Sequence, residues 1–170
     1  PGITSANDGG IYREDSGTLA QVARVGQQAP GAAAGTVFRG FNRPLLNAEG
    51  QIAFRGLLTG AGVDNTNGAG VYREDSGTLV EIVREGQQAP DAAAGVVFRG
   101  IGTVLNAEGQ IAFRGLLTGT GVDGTNDAGI YATDLNGVLR AIVREGDLFD
   151  INDDPLIDDL RTISGLSFLE

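Results

Sequence analysis

The sequence predicts an all-β protein of tandem four-stranded antiparallel units, each about 60 residues long, arranged as β-propeller-like blades. Three observations lead there. Residues Gly10–Gly40 and Gly70–Gly100 match at 23 of 31 positions at an offset of 60. Leu46–Gly60 (LNAEGQIAFRGLLTG) recurs unchanged at Leu105–Gly119 at an offset of 59. A third copy opens at Gly129 (GIYATDLNGVLRAIVREGD) and then diverges. Self-similarity at a fixed period marks a repeat architecture, and near-identical units must be structurally equivalent.

Within a unit the pattern is strand and turn. Asn47-Ala48-Glu49-Gly50 is a turn segment that opens Gln51–Leu57, a short run rich in β-branched and aromatic residues. Asp64-Asn65-Thr66-Asn67-Gly68 leads to a second strand, Gly70–Arg73. Asp75-Ser76-Gly77 turns tightly into Thr78–Glu85, and the loop Gly86–Gly95 (GQQAPDAAAG) delivers Val96–Gly100. The triplet Ala92-Ala93-Ala94 is helix-friendly, but it is short and bounded by Pro90 and Gly95, so no helix is expected. Ile52 and Phe54 share one face of their strand; Ala53, Arg55 and Leu57 share the other. Neither face is uniformly polar, which fits sheets covered on both sides.

The chain reads as one repeat domain over residues 1–170. Its units lie at about 1–45 (an incomplete first blade), 46–104 and 105–170. The expected strand total is eleven, three in the first unit and four in each of the others. Propellers close with about 4–8 blades, so three units do not make a ring. The expected assembly is a homo-oligomer, a dimer completing a six-bladed ring; otherwise the chain is a piece of a longer one. Pro1 opens no signal peptide, and Leu169-Glu170 reads as a vector-derived ending.

Composition narrows the chemistry. The chain has no His, Cys, Met, Trp or Lys, and its net charge is −10. That removes imidazole bases, thiol nucleophiles, disulfides and Schiff bases. The acidic balance argues against nucleic acid and anionic lipid. No apolar run approaches the roughly 18 residues of a membrane helix, so membrane insertion is not expected. The 28 glycines are largely turn punctuation repeated from unit to unit.

The segment Asn47-Ala48-Glu49-Gly50-Gln51-Ile52-Ala53-Phe54, repeated at Asn106–Phe113, resembles the bacterial tandem-repeat family named for its NxxGxxAF motif, found in choice-of-anchor surface proteins. The GVYRED and IVREGQ segments are similar too. The resemblance implies export and an extracellular or cell-surface location, and it carries no activity to any residue. By their own chemistry, Asn47, Gly50, Asn106 and Gly109 read as turn formers.

Four candidate sets remain. Arg39, Arg55, Arg99 and Arg114 sit inside strands and need partners, for which Glu14, Glu74, Glu85 and Glu145 are available. They form either an anion site or a lattice of ion pairs. Asp64, Asn65 and Asn67, and again Asp123, Asn126 and Asp127, offer oxygen ligands to calcium; plain turn chemistry explains them equally well. Residues 147–170 hold one arginine against seven carboxylates, a net −6, and read as a solvated acidic loop or a second calcium site. Tyr12, Tyr72 and Tyr131 serve as sugar platforms or as packing between units. Ser16 and Ser76 have no histidine to activate them, and no catalytic residue is assigned. The expected function is a non-enzymatic structural or binding scaffold with no cofactor. The alternatives are a calcium-assisted, glycan-binding, lectin-like propeller and a carboxylate-based hydrolase.

Overall fold

Short β-branched runs punctuated by glycine turns can satisfy their backbone only by pairing with one another. In the computed structural model, which describes residues 2–4, 7–15, 17–102, 104–150 and 159–167, they pair throughout as antiparallel sheets, and no helix forms among those residues. The strands are β1 (Gly10–Asp15), β2 (Thr18–Arg24), β3 (Val37–Leu46), β4 (Ile52–Thr59), β5 (Ala69–Asp75), β6 (Thr78–Arg84), β7 (Val97–Ile101), β8 (Val104–Leu105), β9 (Ile111–Thr118), β10 (Ala128–Thr133), β11 (Leu139–Arg144), β12 (Leu148–Asp150) and β13 (Leu160–Thr162).

Two full meanders dominate. One has the order β3-β4-β5-β6; the other runs β7-β9-β10-β11, with β8 also paired to β9. The hairpins β1-β2 and β12-β13 stand as separate two-stranded sheets. The strand after the QQAP loop therefore opens the next sheet. A sheet runs from Val37 to Arg84, and the cut at residue 46 made on the repeat period falls inside the β3–β4 hairpin. A repeat gives the length of a unit but not its phase. Thirteen strands stand among the described residues against the eleven expected: the two-residue β8 is one addition, and the third unit closes on the hairpin β12-β13 where a single strand was expected.

The two faces of a strand serve different cores. Ile52, Phe54 and Leu58 of β4 join Ile11, Val22, Phe38 and Tyr72 in one cluster. Ala53, on the opposite face, joins Val71, Val83, Phe98, Ile111 and Phe113 in the next. Each cluster draws on two successive sheets, which is why neither face of Ile52–Leu57 is polar. Aromatic geometry repeats with the sequence: Phe54 stacks on Tyr72 at 5.7 Å, and Phe113 on Tyr131 at 5.6 Å. Phe38 and Phe98 each meet the tyrosine of their sheet edge-on at 4.8 Å.

Divergence in the third unit leaves its link intact. Gly26 N–H donates to Phe38 O and Gly86 N–H to Phe98 O; Gly146 N–H donates in the same way to Ile163 O at 2.9 Å. Ile163 thus takes the place of the two phenylalanines although the sequence around it has changed.

Candidate functional site

The shift of offset from 60 to 59 has a structural cause. Between Gly40 and Leu46 the chain holds one residue more than between Gly100 and Leu105. The extra residue is absorbed in β3 by a bulge, where register shifts between Asn42 and Leu45. Arg43 sits in the bulge with φ of 51°, a left-handed conformation held directly before Pro44. Such a backbone costs a non-glycine residue on the order of 1 kcal/mol.

The bulge faces a cavity of about 740 Å³ between the two meanders. Asn42, Arg43, Arg55 and Arg114 form its polar wall, and Ile101 and Leu116 its apolar wall. Arg55 and Arg114 are the same position of successive units, on β4 and β9. Each faces the interrupted stretch of its neighbouring strand: Asn42 pairs opposite Arg55, and Gly102 N–H donates to Arg114 O.

Their charge is only partly met. Arg55 Nη2 donates to Glu85 Oε1 at 2.9 Å, whereas the Arg114–Glu145 pair is stretched to 3.9 Å. Glu145 Oε1 instead accepts from Leu166 N–H at 3.1 Å. The Nε atoms of Arg55 and Arg114 are buried without a partner. A guanidinium carries five donors in a planar fork suited to carboxylate and phosphate oxygens. The described lining of the cavity includes no Asp or Glu. It offers cations and apolar surface, the means to hold an oxyanion.

The other two arginines of the set turn elsewhere. Arg39 Nε donates to Leu58 O at 3.1 Å and Arg99 Nε to Leu117 O at 3.0 Å, each clamping its own sheet. Arg99 also pairs with Asp127 at 2.6 Å. Glu74 meets Arg13 at 3.1 Å, and a carboxylate oxygen of Glu14 accepts from Gly17 N–H.

The oxygen-rich turns spend their oxygens internally. Asp64 Oδ1 accepts from both the amide and the hydroxyl of Thr66, and Asn67 Oδ1 accepts from Asp64 N–H. Asp123, Thr125 and Asn126 repeat this arrangement. The Thr66 hydroxyl is the main cause holding the Asp64 carboxyl below its usual range, and Thr125 does the same for Asp123. Asn65 is exposed at the tip. Among the described residues no cluster of three or more acidic side chains converges as a metal site. Of the acidic C-terminal segment, residues 151–158 and 168–170, with the Leu169-Glu170 ending, lie outside the described residues, as do Pro1 and Ser16. Asp147 Oδ2 accepts from Arg144 N–H at 2.7 Å, and Asp159 pairs with Arg161 at 3.7 Å. Ser76 lies at φ 51° in its turn.

Tyr72 and Tyr131 are buried among phenylalanines, and burial is the first cause pushing both phenols up. Tyr12 alone is half-exposed.

Three residues, Gln28, Gln88 and Arg73, have roles that the sequence did not assign, and Asn47 adds a second role to its turn. Gln28 Nε2 donates to the carbonyls of Ala29, Ala32 and Ala33 while its Oε1 accepts from Gly35 N–H, and Gln88 does the same in the next loop. Asn47 caps its own turn through Gln51 N–H and also reaches across to Asn106 O and Ala107 O, both at 3.0 Å. Arg73 Nη1 donates to Gly109 O at 2.7 Å. The glutamines organise their own loops, whereas the bonds of Asn47 and Arg73 join one unit to the next. For Arg43 the signal was present in the sequence as the one-residue change of offset.

Residues 1–170 match a family model described as a family of unknown function (DUF7453). No curated protein and no solved structure matches the chain.

Proposed function

The chain belongs to the DUF7453 family of unknown function, and we propose that it is a non-enzymatic binding scaffold that holds an oxyanion where two units meet. The observation that carries the reading is Arg43. It breaks the repeat, sits in a costly backbone conformation, and adds a third guanidinium to a cavity already lined by Arg55 and Arg114. Arg55 meets Glu85 at 2.9 Å while Arg114 stands 3.9 Å from Glu145, and both keep a buried Nε–H without a partner, in a chain whose net charge is −10. The apolar wall of Ile101 and Leu116 suits the body of a sugar ring, so an acidic glycan is the favoured ligand.

The NxxGxxAF-like turns support an exported protein of the bacterial surface. The inter-unit bonds of Asn47 and Arg73 support propeller-like stacking, with two copies completing six blades. A solution mass near twice 17.5 kDa is expected, and a strict monomer refutes that assembly.

Isothermal titration with tri-galacturonate, inorganic phosphate and a neutral trisaccharide, each with and without calcium, tests the reading. The uronate binds, the neutral sugar does not, and Arg43→Asn, which tolerates the positive φ, weakens binding about tenfold. Heat from phosphate alone reassigns the ligand to a phosphate. Binding only with calcium favours the lectin-like reading through the Asp64 and Asp123 turns. No binding of any anion, or binding unchanged by Arg43→Asn, refutes the proposal.

A further inference from the structure

Both complete meanders cover the same edge of their tyrosine-bearing strand. β4 lies on β5 with Phe54 opposite Tyr72, and β9 lies on β10 with Phe113 opposite Tyr131. β1 is the first copy of that strand, and among the described residues it pairs with β2 alone.

Three further differences mark the same vacancy in the pattern. Tyr12 is 50% exposed, against 0% for Tyr72 and 1% for Tyr131. Leu46 is 69% exposed, whereas its equivalent Leu105 packs against the second core cluster. A Cβ built on Gly109 would meet the Gln51 amide at 2.2 Å, whereas one built on Gly50 would meet nothing within 4 Å. The residues that do the covering all belong to one stretch, the turn at Asn47 together with β4. Asn47 donates to Asn106 O and Ala107 O, Gln51 lies over Gly109, and Ala53 enters the cluster of Val71, Ile101 and Ile111. At the first unit the corresponding space is a groove of about 620 Å³, lined by Ile11, Tyr12, Leu45, Leu46 and Ile52.

We propose that the β1 edge is a strand-acceptor site whose ligand is an extended Asn-Ala-Glu-Gly-Gln-Ile-Ala-Phe-Arg-Gly segment from another repeat unit. The two occupied edges fix its register. The incoming Phe sits opposite Tyr12, the Gly after Arg opposite Gly10, and the Ala opposite Arg13. The incoming Asn donates to Asn47 O and Ala48 O, and the Gln covers Gly50. Main-chain pairing supplies the affinity and the Phe–Tyr12 stack the specificity, as in other β-augmentation sites.

The test adds a labelled peptide of the Leu46–Gly60 sequence to the full chain. Anisotropy reads binding, and hydrogen exchange locates it. Saturable one-to-one binding that slows exchange at the β1 amides is expected. Replacing the peptide's Phe by Ala, or Tyr12→Ala in the protein, should weaken binding at least tenfold. Circular dichroism checks that Tyr12→Ala keeps its strand content; if it does not, the peptide substitution alone decides. Equal binding of a scrambled peptide, protection at β5 or β10 in place of β1, or no saturation overturns the proposal.

Discussion

Gly56→Ala should destabilise the fold by about 2 kcal/mol, within the range for overpacked cores. Gly56 lies in mid-β4, opposite Gly70 on one side and Phe41 on the other, with no positive φ to complicate the comparison. A methyl there would sit 2.6 Å from Phe38 Cε1 and 2.9 Å from Tyr72 Cε2. Carbon pairs rest at about 3.5–4.0 Å, so the overlap approaches an ångström against two rings that are themselves wedged edge-to-face. The repeat supplies a replicate: at Gly115 the distances are 2.7 Å to Phe98 Cε1 and 2.9 Å to Tyr131 Cε2. It also supplies a control. At Gly40 the nearest atom is Leu57 Cδ1 at 3.7 Å, an ordinary contact, so Gly40→Ala should be neutral or stabilising by about 0.5 kcal/mol. Urea unfolding followed by circular dichroism reads all three, and in a chain of this size about 2 kcal/mol lowers Tm by about 4–8 °C. If Gly56→Ala and Gly115→Ala are tolerated as well as Gly40→Ala, the ring packing does not constrain these sites and the reasoning fails.

Gln28→Ala and Gln88→Ala should each cost about 1–2 kcal/mol, because one side chain satisfies four backbone groups in its loop. Faster hydrogen exchange at Gly35 or Gly95 is the signature, and unchanged exchange would remove the glutamines as loop organisers. The Asp64 and Asp123 carboxyls are held low in the folded chain, so their contribution to stability is present above about pH 3.9 and is lost as pH falls through the lowered values. Thr66→Val should move the Asp64 midpoint, read by carboxyl NMR, back up; an unmoved midpoint would show that the hydroxyl is not the cause.

Strands were legible because their residues must alternate and their turns need glycine. Gln51–Leu57 and Thr78–Glu85 differ from β4 and β6 only at their ends. Pairing order was not legible. The period is indifferent to whether the Val96–Gly100 segment closes one sheet or opens the next, and hydrogen bonding alone decides that. The site was half visible. Arg55 and Arg114 stood out as recurring cations, but their convergence with Arg43 depends on a bulge in three dimensions. The Gln-Gln-Ala-Pro glutamines gave no signal of their own, since a polar pair ahead of Ala-Pro reads as loop whether or not it organises one.

β4 and β9 are the same eight residues, IAFRGLLT. During folding, neither strand can therefore recognise its proper neighbour by side chain. β5 and β10 offer closely similar edges, and only the short connections before and after each strand favour the local partner through loop-closure entropy. Between two chains that bias disappears. Concentrated folding intermediates would exchange these strands and entangle, the characteristic failure of repeat proteins. The fidelity of folding here is thus held by the connecting loops, and it weakens as chains crowd together.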